Sequence, residues 1–335
     1  MDRLKDFSPF IPMKIIATGS ALPKNKLTAT ELDQKLNKPE GYSFQRSGIE
    51  YRYHADLHLS QADLAVQALN DALTRNNISP ESIDLLICAS AIPIQALPYS
   101  AAHIIHASSL PKHTAGMDIN VSCVSFLTAL HTAACLVNMN SYRRVAIVSA
   151  ELASRGLDWN DEESSMIFGD GAACAIIEKG NGKSGILSYA LETHPEGLEL
   201  CQIRAGGTRR NLRSGMNDSD FLFQMQSKPL FKLAASLIEP FFAKLMTSAG
   251  LSLAQIKTVI PHQASHLSLE HMRRRLMIPE EAFINIYRYR GNQIAASIPS
   301  ALHEVVISQQ LKPEQPCMLI GTAAGLTFAG MVILP

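Results

Sequence analysis

Two stretches half a chain apart carry the same pattern, and that duplication constrains the fold more than any other feature of the sequence. SPESIDLLICAS (79–90) resembles SLAQIKTVIPHQ (252–263): a polar turn, then an apolar run that ends in small or polar residues. RRVAIVSAE (143–151) resembles QPCMLIGTA (315–323) in the same way. Both pairs are separated by about 172 residues, half of the chain. Continuous apolar runs of this kind mark strands buried on both faces. The common offset implies two duplicated α/β halves with buried sheets, whose strand-end loops would face each other.

Bulk properties agree. A chain of 335 residues is too long for one small core, and 47% hydrophobic content suits a well-buried enzyme. Only 6% is aromatic, which fits stacked helices and sheets better than a β-sandwich. The formal charge is zero, which makes no case for nucleic-acid binding. The six cysteines (Cys88, Cys123, Cys135, Cys174, Cys201, Cys317) are dispersed, with no C-x-x-C pair. That pattern points away from a disulfide framework or a zinc site and toward a reducing, cytoplasmic setting. No apolar run approaches the ~18 residues of a membrane span. Residues 1–12 read as an appended arm, 13–180 as the first half and 181–335 as the second.

Within the first half, DINVSC (118–123) is a strand-like entry ending in small polar residues and a cysteine. Val124, Leu127, Leu130, Ala134 and Val137 then recur at helical spacing. Cys123 therefore stands at a strand-to-helix turn, where unpaired N–H groups favour negative charge and can hold a thiolate. A thiolate is a strong nucleophile toward a carbonyl carbon; a buried, inert cysteine is the competing reading. Elsewhere TATE (28–31) forms a capping box and 60–76 an amphipathic helix. Residues 204–220 form a long polar, Arg-rich loop, 228–249 a long helix and 284–288 a strand. FGDG (168–171) is a tight turn feeding a strand and lacks the full pattern of a phosphate loop.

Two further polar residues stand at strand ends or helix starts. His262 follows the strand TVIP, and Asn292 follows Gly291 at the opening of a helix. Alone, the first reads as a satisfied structural histidine and the second as a helix cap. His262 and His266 are four apart, but no third ligand completes a metal site.

Together these runs resemble a family. DINVSCVSFLTAL, IFGDGAA, PHQAS, YRGNQIAASIPSALHE and TAAGLTFAG occur in the order found in β-ketoacyl-acyl-carrier-protein synthase III, of the thiolase superfamily. MKIIATGSALP and RSGIEYRYH are similar to that family's start, so the resemblance covers residues 13–335. It implies a thiolase-like fold: duplicated βαβαβαββ halves in a five-layer α-β-α-β-α sandwich, normally a homodimer. It implies an acyltransferase with Cys123 as acyl-accepting nucleophile. His262 and Asn292 would be hydrogen-bond donors to a malonyl-derived enolate, and the N–H groups of Cys123 and Ala324 an oxyanion hole. No cofactor is implied; the substrates would be acyl-CoA or acyl-carrier thioesters and a malonyl thioester, in fatty-acid initiation or a specialised lipid pathway. Elongating relatives use a second histidine where Asn292 stands, and thiolases a second cysteine that the loop 322–325 lacks. The competing outcomes are acyl transfer to an O or N nucleophile without decarboxylation, and a catalytically silent thiolase-fold subunit.

The sequence departs from that family at several positions. The C-terminal loop, usually three glycines, is Ala323-Ala324-Gly325. The primer clamp falls on Tyr42, which could stack, and on Glu162, which would repel phosphates. The residue gating the acyl tunnel falls on Leu97, with Phe168 and Met225 nearby, so a longer or branched acyl chain is expected. Arg46, Arg274 and Arg275, with Arg273, stand where basic residues would meet an acidic acyl carrier protein.

Overall fold

The computed structural model describes residues 10–335, the Glu163 side chain excepted. The chain opens with β1 (Ile11–Pro12) and β2 (Lys14–Ala21), followed by a ribbon of β3 (Asn25–Thr28) and β4 (Tyr51–His54). Between the ribbon's strands lie α1 (Ala29–Lys35) and α2 (Tyr42–Ser47). Then come α3 (Gln61–Arg75), β5 (Leu85–Cys88), α4 (Ser100–Ala107), β6 (Ala115–Asp118), α5 (Ser125–Asn138), β7 (Arg144–Glu151), α6 (Glu162–Ser165) and β8 (Gly171–Glu178). After β9 (Gly185–Thr193), a second ribbon forms from β10 (Cys201–Gln202) and β11 (Gln224–Met225). The chain ends with α7 (Ser227–Ala249), β12 (Thr258–Pro261), α8 (His266–Arg275), α9 (Tyr287–Arg290), α10 (Ser297–Ile307), β13 (Cys317–Ala323) and β14 (Thr327–Leu334).

Local chemistry sets many of these boundaries. Thr28 and Glu31 close the expected capping box on α1, and Ser60 caps α3. Helix α7 stops at Gly250, which takes the left-handed conformation with φ +65°.

The two large sheets repeat one design. The first has the order β2-β8-β7-β5-β6 and the second β1-β9-β14-β13-β12. The parallel pair β5–β7 and the antiparallel pairs β7–β8 and β8–β2 recur as β12–β13, β13–β14 and β14–β9. Helices α5 and α10 lie between the sheets, packed with Ile87 and Ile147 of one and Leu319 and Met331 of the other. Helices α3 and α4 cover the outer face of the first sheet, and α7 and α8 that of the second. The result is the five-layer α-β-α-β-α sandwich. The continuous apolar strands follow from it, since both faces of each sheet are covered.

Two expectations need correction. Residues 284–288 are not a strand: next to an isolated Val259–Phe283 bridge, they give β12 the Ile284 N–H, donated to Val259 O at 2.9 Å. The Gln263 side chain intercepts the rest, its Oε1 accepting the N–H groups of Ile286 and Tyr287 at 2.9 and 3.0 Å, and α9 starts there. Residues 11 and 12 are not an appended arm either; they pair with Ile186 and Gly185 of β9. Residues 1–9 of the expected arm lie outside the described residues.

Candidate active site

Cys123 occupies the turn between β6 and α5. Ser122, just before it, is left-handed with φ +50°, a conformation uncommon for a non-glycine residue. Ser125 Oγ accepts the Val121 N–H at 2.9 Å and donates to Ser122 O at 2.6 Å, which holds the turn closed. The residue is half-buried, and it lines a large cavity. Burial works against the expected resting thiolate. Burial pushes the thiol pKa up, Cys201 and Glu151 add to the rise, and the N–H groups of Ala324 and of Cys123 itself oppose it. Burial thus favours the thiol form of Cys123.

His262 follows β12, its N–H donating to Ile320 O at 2.8 Å. Only 4% of it is exposed. Burial lowers the imidazole pKa to about 4, so it is neutral at physiological pH. Its Nδ1 is buried without a partner, and the residue lines the same cavity as Cys123. Gly321 makes room for the ring: a Cβ there would stand 2.8 Å from His262 Cβ.

Asn292 is held by residues 167–170, in the stretch that the sequence marked as a turn and as a family motif but not as a support for Asn292. Asn292 N–H donates to Ile167 O at 2.7 Å and its carbonyl accepts from Gly169 N–H at 3.1 Å. Gln293 Nε2 donates to Asp170 O at 2.9 Å. The Asp170 carboxylate in turn accepts from Ala55 N–H, Ser154 N–H and Ser154 Oγ at 2.6–2.8 Å. Backbone contact requires glycine at 169, and side-chain contact disfavours a larger residue at 171. A Cβ at 169 would lie 2.1 Å from Arg290 O, and one at 171 would lie 1.9 Å from Gln293 Nε2. The Asn292 amide donates to Ala264 O at 3.1 Å, leaving its second hydrogen free for a ligand.

These groups meet in one cavity of about 1230 Å³. Cys123, His262, Asn292, Ala324, Phe168, Met225 and Arg46 all line it. Its remaining walls are largely apolar, including Phe223, Leu230, Ile238 and Phe328.

Other predicted residues fall elsewhere. Leu97 is 84% exposed and outside the cavity lining, so within this chain it gates nothing. Tyr42 stands just behind the rim, its hydroxyl donating to Glu162 Oε2 at 2.6 Å, with the Arg46 guanidinium 5.1 Å from its ring centre. Glu162 is also ion-paired with Lys38, so the repulsion expected of a bare carboxylate is offset. Arg274 and Arg275 lie outside the cavity, bonded to Glu270 and Glu239.

Glu151, at the end of β7, was not singled out in the sequence. It is wholly buried, and burial raises its pKa to about 8. Its Oε1 accepts the Ala91 N–H in the loop after β5 at 2.5 Å, and its Oε2 is buried without a partner. An acidic residue ending an apolar strand was the available signal.

Comparison with known proteins agrees with this geometry. The family model for 3-oxoacyl-[acyl-carrier-protein] synthase III matches residues 117–195, and the model for its C-terminal part matches residues 246–334. The β-ketoacyl-[acyl-carrier-protein] synthase III of Aquifex aeolicus is 31% identical over 321 residues, covering 96% of this chain and 98% of that one. The protein of that name from Clostridium tetani is 32% identical over 330 residues, with coverage of 96% and 98%. The crystal structure of the Aquifex aeolicus synthase superposes with a TM-score of 0.85 at 28% identity, covering 96% of this chain and all of that one. Sequence, fold and site concur: this chain belongs to the β-ketoacyl-[acyl-carrier-protein] synthase III family of condensing acyltransferases.

Proposed function

We propose that the protein takes an acyl group from a thioester onto Cys123 and condenses it with the enolate of a decarboxylating malonyl thioester. In the first step the Cys123 sulfur, losing its proton, attacks the acyl carbonyl. The Ala324 and Cys123 N–H groups meet the oxyanion, and the donor's thiol leaves with a proton. In the second, malonyl carbon–carbon cleavage releases carbon dioxide, and the enolate oxygen accepts from His262 Nε2 and the Asn292 amide. Its carbon attacks the acyl-Cys123 carbonyl, and the sulfur departs from a 3-oxoacyl thioester. Neutral donors suit this step, because an apolar site strengthens their hydrogen bonds. The chemistry needs only side chains and thioesters, with no prosthetic group.

One observation carries the reading: the Cys123 thiol shares one largely apolar cavity with the His262 imidazole, neutral through burial, and the Asn292 amide. The cavity of about 1230 Å³ has room for an acyl chain together with the arm of its thioester carrier.

The reading extends to a cytoplasmic homodimer served by an acyl carrier protein. The outer edge of β6, half-buried to exposed in the single chain, supports a second copy there. Carrier docking rests more on Arg46 and Lys228 at the cavity than on α8, where Arg273, Arg274 and Arg275 face Glu270 and Glu239; Arg204 and Arg209, also at the cavity, are paired with Asp220 and Glu199. Among the described residues no helix is long and apolar enough to cross a membrane.

The test is intact mass after incubation with C2 to C12 acyl thioesters, followed by carbon dioxide release from malonyl-carrier protein. Acyl mass on the wild type and none on Cys123→Ala is the expected result. Acylation without carbon dioxide release would turn the reading to transfer onto an O or N nucleophile. No acyl mass from any donor would turn it to a silent subunit.

A further inference from the structure

Asn120 and Asn292 occupy the same place in the two halves, again about 172 residues apart. The Asn292 amide donates to Ala264 O at 3.1 Å, and the Asn120 amide to Ala91 O at 2.8 Å. Asn292 Oδ1 accepts Ile294 N–H at 2.8 Å, and Asn120 Oδ1 accepts Ser122 N–H at 2.9 Å. Ile294 and Ser122 are left-handed, with φ +48° and +50°. Even the next bond repeats: Ser297 Oγ takes Gln293 N–H at 3.0 Å as Ser125 Oγ takes Val121 N–H at 2.9 Å. Each asparagine ties the turn before a central helix to the loop after a neighbouring strand. Left-handed backbone at serine or isoleucine persists only where such bonds over-determine it.

Asn292 lines the cavity; Asn120 does not. We propose that Asn120 is the positioning residue of the nucleophile. Its Oδ1 fixes the left-handed turn at Ser122, and its amide anchors that turn to the strand-end loop at Ala91. The next residue, Cys123, is thereby aimed at the acyl carbonyl beneath the Ala324 N–H. The same device serves both halves, with Asn292 adding contact to substrate. The inference rests on the reading of Cys123 as the acylated residue.

The experiment separates the two chemical steps. Acylation of Cys123 is timed by quenched intact mass, and carbon dioxide release from a malonyl thioester is measured without acyl donor, with Tm alongside. Asn120→Ala is expected to slow acylation about tenfold to a hundredfold, the scale of a misplaced reacting group. Carbon dioxide release, which depends on His262 and Asn292, stays within about twofold. Asn120→Asp, which keeps an acceptor for Ser122 N–H, recovers part of the loss. Should the alanine variant not fold, the aspartate variant decides alone by showing slowed acylation with normal carbon dioxide release. Unchanged acylation, or equal loss of both steps with a fall in Tm, overturns the proposal. Acylation persisting in Cys123→Ala would instead sink the assignment of the nucleophile itself.

Discussion

The Cys123 sulfur stands under opposing influences. The N-terminal end of α5 and two backbone N–H groups favour charge, while burial and the neighbouring Cys201 and Glu151 oppose it more strongly. A sequence shows the helix but not the cavity, which is why a thiolate was the natural expectation and a thiol is the form that burial favours. The sign has a kinetic consequence. With its pKa above the usual cysteine range, the thiolate fraction grows about tenfold per pH unit across the neutral range. Iodoacetamide labelling of Cys123, followed by peptide mass spectrometry, is therefore expected to accelerate steadily from pH 6.5 to 8.5. A rate that levels off near pH 7 would mean a pre-formed thiolate.

At the scale of elements, the loop 168–171 orients Asn292 through backbone pairing rather than through any reacting group. Replacing Gly171 by alanine drives a methyl into the Gln293 amide. Overpacking of this kind typically costs about 1–3 kcal/mol. The expected result is at least a tenfold loss of carbon dioxide release, the cost of shifting a transition-state donor. Cys123 acylation should change less; if it falls as far, the loop is a general support. Cys123, His262 and Asn292 were legible because they end strands or open helices in a recognisable order. The FGDG loop's role was not, because its contacts join residues over a hundred positions apart. Nor was the fate of 284–288, whose apolar residues read as strand until Gln263 takes their backbone N–H groups. Leu97 shows a different limit: its place in the order of motifs said nothing of which way its loop faces.

Across the whole molecule, the buried Glu151 couples stability to pH. Its carboxyl titrates near 4.5 when unfolded and is raised to about 8 by burial. Between those values the folded protein holds a proton that the unfolded chain has released, so this group's stabilisation is full below the lower value and lost as pH climbs through the upper one. Glu151→Gln removes that titration. Its Tm should fall less than the wild type's from pH 6 to 9, and parallel curves would show that Glu151 is already ionised. The placement of α5 and α10 between the sheets reaches further. Each is wedged against strands of both sheets, so neither half owns a finished interior. Were the polypeptide severed in the turn between β8 and β9, each fragment would expose one greasy flank, and thiol chemistry would return only with their reunion. The partnership that an ancestral pair of subunits would make by collision is here made permanent by a six-residue tether, residues 179–184.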